Sequence, residues 1–385
     1  MSDADFPTKV AVLGSTGSVG RQTLGVVRSL SGQFEIYALA ANQNVDLLNQ
    51  QIEIFKPQLV VIGKQQLKGK ITKGRFKLLT GAGGLEEIAG DDKVDLVVFA
   101  TTGMVALPAL LAAIKAKKKI AIANKEVLVI AGGLVTKLSR ENKVDLRPVD
   151  SEHCAIWQCL AGEKLNQVNK LILTASGGPF RGWDLKRIKN VTPAQALKHP
   201  TWSMGAKITI DSATLLNKGL EVIEAHWLFN QPYEKIAAII HPQSLIHSLV
   251  EFVDGSLKAQ LAAPDMRLAI QYALTYPQRQ KTVFNFLDLV KSNHLDFYLP
   301  DIKKFPCLHL AVEAGKKGGT YPVVLVTADE ILVEQFLKGK ISFWQIPVFL
   351  EKTLAKHQSA PLSLENISAV QAWTKETLEN LINRR

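Results

Sequence analysis

The sequence predicts an α/β fold in three parts, on three features of its order. Short apolar runs alternate with helical spacings through residues 1–149, the pattern of a doubly wound parallel sheet. Strand-like runs then meet across Asp254-Gly255, a tight-turn dipeptide that closes antiparallel hairpins, so a central α+β domain is expected over 150–277. After a mixed, polar connector at 278–304 only helical periodicity remains, giving a C-terminal helical domain over 305–385.

The elements follow in order. Val10 to Leu13 is a strand, and Val19, Thr23, Val26, Val27 and Leu30 recur at helical spacing behind a glycine-rich turn. Phe34 to Ala41 is a second strand, followed by a helix face of Val45, Leu48, Ile52 and Phe55. Leu59 to Ile62, Val94 to Ala100 and Ile120 to Ala123 are buried strands, with Val105 to Lys115 helical. Leu171 to Thr174 is a strand that empties into an irregular excursion, 176–206. It has little patterning but large apolar side chains, which favour a flexible flap over disorder. A helix capped by Asp211 or Ser212 runs to about Phe229. Strands at Ala237 to Ile240, Ile246 to Val253 and Ser256 to Ala262 precede a helix from Asp265 that stops before Pro277.

Composition removes several classes of function. The 385 residues are 47% hydrophobic and 21% charged, which is globular and long enough for two or three domains. Cys154, Cys159 and Cys307 are odd in number and lack CxxC spacing, so reduced thiols in a cytoplasmic compartment (or a plastid stroma) are expected. No unbroken apolar run suits a membrane span, and Met1 to Thr8 has no signal-sequence pattern. The net charge of +11 is partly clustered, in Lys64 to Lys77 and Lys115 to Lys119. Those runs lack interleaved aromatics, which argues against nucleic acid; a phosphorylated small molecule stays compatible.

Five stretches carry the chemistry. Gly14-Ser-Thr-Gly17-Ser-Val-Gly20 sits between strand and helix, where glycines let the backbone approach a pyrophosphate at the helix N-terminus. Its GxxGxxG spacing is not the commoner GxGxxG, and a ligand-free turn would look similar. At the end of the second strand, Asn42-Gln43-Asn44 offers no acid for a ribose 2′-hydroxyl, which leans to NADP, yet no Lys or Arg stands there either. Asn124-Lys125-Glu126 opens a helix at a strand end, as a ligand site or as an acidic first turn.

Asp150-Ser151-Glu152-His153 has two readings. As a strand end, period two turns both carboxylates the same way, toward a cation; as a helix start, the run is a cap with a first-turn acid. Downstream, Asn217, Lys218 and Glu221 share a helix face, as a site or as a solvated Lys–Glu pair. The apolar flanks Leu215, Leu216, Leu220 and Val222 speak against solvation. Asp150, Glu152 and Glu221 together make an all-oxygen set, which selects Mg²⁺ or Mn²⁺ over zinc. Ser151, Ser176, Ser212, Asn217 and Lys218 are donors suited to a phosphate. His241, His247 and His309 read as satisfied core histidines.

These motifs, with Ser176-Gly-Gly-Pro-Phe180, His199-Pro-Thr-Trp-Ser-Met-Gly205, Asp211-Ser-Ala-Thr214 and Ile240-His-Pro-Gln-Ser244, resemble the 1-deoxy-D-xylulose 5-phosphate reductoisomerase family over about residues 9 to 275. The tail departs, with Val326-Thr-Ala-Asp-Glu330 where Asn-Ala-Ala-Asn-Glu is usual; Asn42-Gln43-Asn44 stands where Gly-Lys-Asn is frequent. The resemblance implies a Rossmann-like first domain and a homodimer that uses NADPH and Mg²⁺ or Mn²⁺ on a small phosphorylated sugar. It implies metal at Asp150, Glu152 and Glu221, with Lys125 and His153 completing the catalytic set. Substrate would meet Lys125, Ser151, Glu152, Ser176, His199, Trp202, Ser212, Asn217, Lys218 and Glu221. NADPH would meet Gly14, Thr16, Gly17, Ser18, Val19, Asn42, Gln43, Asn44, Asn124, Glu126 and Gly205, with Trp202 and Met204 on the flap. The implied reaction is a metal-assisted skeletal rearrangement, retro-aldol then aldol, followed by hydride delivery to the aldehyde. Its rivals are an NADP-dependent dehydrogenase of another phosphorylated metabolite and a non-catalytic nucleotide sensor.

Overall fold

A computed structural model describes residues 7–200, 202 and 204–383. The chain opens with β1 (Thr8–Leu13), α1 (Ser18–Ser29), β2 (Phe34–Ala41), α2 (Val45–Phe55), β3 (Leu59–Ile62), β4 (Lys77–Thr80), α3 (Gly81–Gly90) and β5 (Leu96–Phe99). It continues through α4 (Leu107–Lys115), β6 (Lys119–Ile122), α5 (Lys125–Asn142), β7 (Leu146–Pro148), α6 (Ser151–Cys159) and β8 (Val168–Ala175). Next come α7 (Leu185–Lys189), α8 (Pro193–Ala196), α9 (Ala206–Thr214), α10 (Leu216–Phe229), β9 (Ile236–Ile240), β10 (Ile246–Phe252) and β11 (Leu257–Leu261). α11 (Met266–Thr275) and α12 (Leu289–Ser292) lead to α13 (Pro306–Lys317), α14 (Tyr321–Leu337), α15 (Gln345–Lys356) and α16 (Leu364–Asn383). Two compact units result. The first holds the chain up to Val127 with Gly132–Trp157 and Asp265–Phe286; the second holds Leu128–Ala131, Gln158–Pro264 and the chain from Leu287.

The first unit is built on a parallel seven-stranded sheet in the order β4-β3-β2-β1-β5-β6-β7. Its strands are apolar at every turn of the pleat because both faces are covered: Val10, Val12, Val60, Val97, Val98 and Ile120 have no exposed surface. From β4 at one edge the chain returns to β5 beside β1, so the switch point of the sheet falls between β1 and β5. α11, capped by Asp265, belongs to this unit, and its Ile270, Ala273 and Leu274 join the core with Leu24 and Val27 of α1.

The second unit holds a mixed sheet, β11-β10-β8-β9, in which β8 and β9 are parallel and the other pairs antiparallel. The hairpin turns at Asp254-Gly255 as expected, with Gly255 at φ 85. α13 lies close on α10 because Gly219 has no side chain; a Cβ there would stand 2.4 Å from that of Ala311. The tail is helical, with Val323, Val324, Leu325 and Leu332 of α14 fully buried.

Several local expectations are corrected. β7 ends at Pro148 and Ser151 opens α6, with the Cys154 N–H donating to the Asp150 carbonyl at 2.8 Å. Of the two readings of Asp150 and Glu152 the helix start is the one that holds, as short acidic residues favour that position. Asp211 and Ser212 are not caps; both lie inside α9, which opens at Gly205 and ends where Leu215 turns left-handed (φ 59). The excursion contains α7 and α8, each capped by a side chain, Asp184 and Thr192. His309 is exposed, unlike the buried His241 and His247.

Candidate active site

In the first unit the parallel sheet gathers the candidate stretches on one rim. Leu13 is paired with Ala40 and Phe99, Phe99 with Ile122, and Ile122 with Pro148, so the chain leaves β1, β2, β6 and β7 on the same, carboxyl-end side. There stand Gly14 to Val19, Asn42 to Asn44, Asn124 to Glu126 and Asp150 to His153. Such rims are where open α/β sheets take ligands.

The glycine turn is shaped by contact. Gly14 has φ 90, and a Cβ on it would stand 2.5 Å from the Ala100 carbonyl oxygen; one on Gly20 would stand 2.2 Å from that of Gly14. Gly17 caps α1 without a side-chain bond, and Gly17 and Ser18 are exposed while Thr16 and Val19 are half-buried. Asn44 caps α2, its Oδ1 accepting from the Leu47 N–H at 3.2 Å.

Asn124 ties the next turn, accepting from the Val127 N–H at 3.0 Å and donating to the Gly103 carbonyl at 2.9 Å. Lys125 Nζ lies 2.7 Å from Asp150 Oδ2, and His153 Nδ1 lies 3.9 Å from the same oxygen. Ser151 Oγ donates to Glu152. Lys125, Glu126 and His153 are buried.

In the second unit, Asn217 and Lys218 both donate to Glu221. Lys218 and Glu221 are 4% and 1% exposed, which rules out the solvated pair and leaves a dry, charged cluster. Ser176 Oγ and Ser212 Oγ each stand 3.1 Å from His199 Nε2. Trp202 N–H donates to His199 Nδ1 at 2.9 Å, so in the neutral ring the proton sits on Nε2. Burial holds the His199 pKa below its ordinary value. Trp202 also faces His247, ring to ring at 6.3 Å, while Gly205 opens α9 and Met204 is half-buried. Thr201 and Ser203 of the same motif lie outside the described residues.

A family profile for 1-deoxy-D-xylulose 5-phosphate reductoisomerase matches residues 10–132, that family's C-terminal domain matches 146–229, and a DXP reductoisomerase C-terminal domain matches 261–377. The reductoisomerase of Chlorobaculum tepidum is 50% identical over 378 residues, covering 97% of this chain and 99% of its own. The chain belongs to the 1-deoxy-D-xylulose 5-phosphate reductoisomerase family. The reductoisomerase of Chlorobium chlorochromatii is 51% identical over the same length, covering 97% of this chain and 99% of its own. Among solved reductoisomerases, the one from Zymomonas mobilis in complex with NADPH superposes with a TM-score of 0.91 at 42% identity, covering 98% of this chain and 100% of its own. Another, in complex with NADPH, fosmidomycin and magnesium, gives 0.92 at 39% identity, covering 97% and 98%.

Two supports of this rim carry no motif in the sequence. Gln51 of α2 reaches the glycine turn, accepting from Ser15 Oγ at 2.7 Å and donating to the Ser15 carbonyl at 2.9 Å. Lys64, at the end of β3, donates its backbone N–H to the Asn42 carbonyl at 3.0 Å. A basic residue thus follows the neighbouring strand, its backbone tied to Asn42 and its side chain exposed. Only strand order could have revealed it.

Proposed function

We propose that the chain converts 1-deoxy-D-xylulose 5-phosphate to 2-C-methyl-D-erythritol 4-phosphate with NADPH and Mg²⁺ or Mn²⁺, in the non-mevalonate route to isoprenoids. Full-length membership in a family with solved complexes of NADPH and magnesium carries this reading. The residues fit both groups. Asp150, Glu152 and Glu221 are oxygen donors only, the preference of a hard cation, and each is steered by its own neighbour: Lys125, Ser151, and the Asn217–Lys218 pair. The glycine turn packs backbone on backbone, side chains at 14 or 20 would collide with it, and Gly17 and Ser18 stay exposed at the N-terminus of α1.

When bound, the cation polarises the carbonyl and hydroxyl oxygens of the substrate and NADPH supplies the hydride. The protein does the rest. Lys125 orients Asp150 and offers an ammonium to substrate oxygen, and His153 backs the same carboxylate. Ser151, Ser176, Ser212, Asn217 and Lys218 supply donors, the last four around the phosphate. His199 turns its Nε2–H to the two hydroxyls Ser176 and Ser212, while its link to Trp202 draws the excursion toward them and keeps water out. Gly14, Thr16 to Val19, Asn42 to Asn44, Asn124, Glu126 and Gly205 serve NADPH, with Lys64 as the partner of its 2′-phosphate.

In this assignment residues 1–149 bind NADPH, 150–277 carry chemistry and dimerisation, and 278–304 link them to the helical 305–385. A homodimer is supported by β11, a sheet edge that pairs only with β10 and leaves Leu257 54% exposed. A cytoplasmic setting is supported by bacterial relatives and by three buried cysteines, none of them in a disulfide among the described residues. Among the described residues no helix is long and apolar enough to cross a membrane. NADPH consumption with the deoxyxylulose phosphate, with and without Mn²⁺, followed by NMR of the product, tests the reading. Metal-dependent consumption yielding the branched erythritol phosphate is expected; consumption yielding an unrearranged carbon chain would sink it.

A further inference from the structure

One ionic cluster of the second unit lies outside the residues used so far. Lys207 Nζ stands 2.6 Å from Asp211 Oδ2, one turn along α9, and 2.5 Å from Asp329 Oδ2 on α14. The two carboxylate side chains are 3% and 1% exposed, whereas Lys207 keeps 33%. Taking two carboxylates out of water around one ammonium is costly, and such a cluster is more persuasive as a register device than as a source of stability. Cys307 lies against it: burial first, then Asp329 and Asp211, pushes that thiol far up.

The cluster adds an ionic tie to the packing that α9 makes on α10, α13 and α14. α9 joins α10 at left-handed Leu215, and its other end at Gly205 receives the excursion that leaves β8 before Ser176. The leading root of that excursion also meets the tail. Phe180 packs edge-on against Phe343 at 5.3 Å between centroids, and Phe343 packs on Phe336 of α14 at 5.6 Å. Between these two roots lies the Ser176–His199–Ser212 group.

We propose that the helical tail positions this group, with Asp329 as a positioning residue that holds α9 through Lys207 and so fixes Ser212 for the substrate phosphate. The substrate named here rests on the function proposed above; the hold on α9 does not. The tail thereby has a task in substrate capture although it contributes no donor to the site.

Asp329→Ala and Asp329→Asn are to be compared with the unaltered chain in steady-state kinetics with Mn²⁺, and in amide hydrogen exchange over residues 206–214. Asp329→Ala is expected to raise the KM for the sugar phosphate about tenfold, with the KM for NADPH within about twofold and kcat within about threefold. Asp329→Asn, whose amide oxygen still accepts from Lys207, recovers most of that loss. Amides of α9 exchange faster in Asp329→Ala, and those of α1 do not. An unchanged sugar-phosphate KM, or both KM values rising together, overturns the positioning role. If Asp329→Ala does not fold, Lys207→Met reads the same split with the same deciding outcomes. A chain that consumes no NADPH with this substrate refutes the function proposed above, while the exchange measurement still decides the clamp: unchanged α9 protection removes it.

Discussion

At the scale of single residues, the proposed chemistry depends on charge held in dry places. Lys218 and Glu221 are almost fully buried, so removing one partner strands the other at a cost of about 3–5 kcal/mol, and shape-conserving variants separate chemistry from folding. Glu152→Gln and Glu221→Gln are expected to keep the fold and lose turnover at limiting Mn²⁺ by at least the roughly 10–100-fold that even an outer-sphere partner is worth. Near-normal rates in either would remove the metal assignment. Lys218→Gln is expected to act mainly on KM for the sugar phosphate, as a phosphate donor should. Lys64→Ala is expected to weaken NADPH binding, followed by nucleotide fluorescence, and to leave NADH unchanged; equal loss for both nucleotides would exclude a 2′-phosphate contact.

Histidines set a pH dependence of stability. Burial holds His199 and His357 below their ordinary 6.5, because it disfavours the charged ring. The unfolded chain therefore takes up these protons at higher pH than the folded one. Stability is complete above pH 6.5 and is lost as the pH falls through the depressed folded values. Tm is expected to drop between about pH 7 and about pH 5, with a shallower slope in His357→Gln. A slope unaltered by that change would contradict the assignment.

At the scale of elements, α1 offers a paired test of backbone reasoning. A Cβ on Gly20 would collide with the Gly14 carbonyl, backbone against backbone, whereas Gly25 in the same helix has nothing within 4 Å. Gly20→Ala should destabilise by about 1–3 kcal/mol or more and abolish tight NADPH binding, while Gly25→Ala should gain about 0.5–1 kcal/mol. Chemical denaturation of both decides it; equal effects would mean that the turn is not packed as described. The same contrast explains what could be read from the chain. Gly14 to Gly20 was legible because its constraint is local, and Asn217, Lys218 and Glu221 because helical spacing brings them together. Asp150 and Glu152 stay open between strand end and helix start in the sequence because an apolar run before an acidic residue looks alike whether a strand continues or a helix begins. Leu215 breaks α9 from α10 with a left-handed residue that is neither Gly nor Asn, so nothing marked it. Gln51 on Ser15, Lys64 beside Asn42 and Asp329 on Lys207 join distant stretches, and only tertiary structure discloses such pairs.

At the scale of the whole molecule, family membership runs from end to end, and the helical tail is part of it. If β11 seals a homodimer, light scattering should give twice the chain mass of 42.3 kDa. A monomer at working concentration would leave that edge without the assigned partner. Asp150, Glu152 and Glu221 are proposed to share one divalent ion. Titration of Mn²⁺ into the NADPH-bound protein, followed by electron paramagnetic resonance, measures it directly. One tight ion per chain is expected, lost in Glu221→Gln and in Glu152→Gln alike; an ion that binds both variants as tightly as the unaltered chain would rule the shared site out.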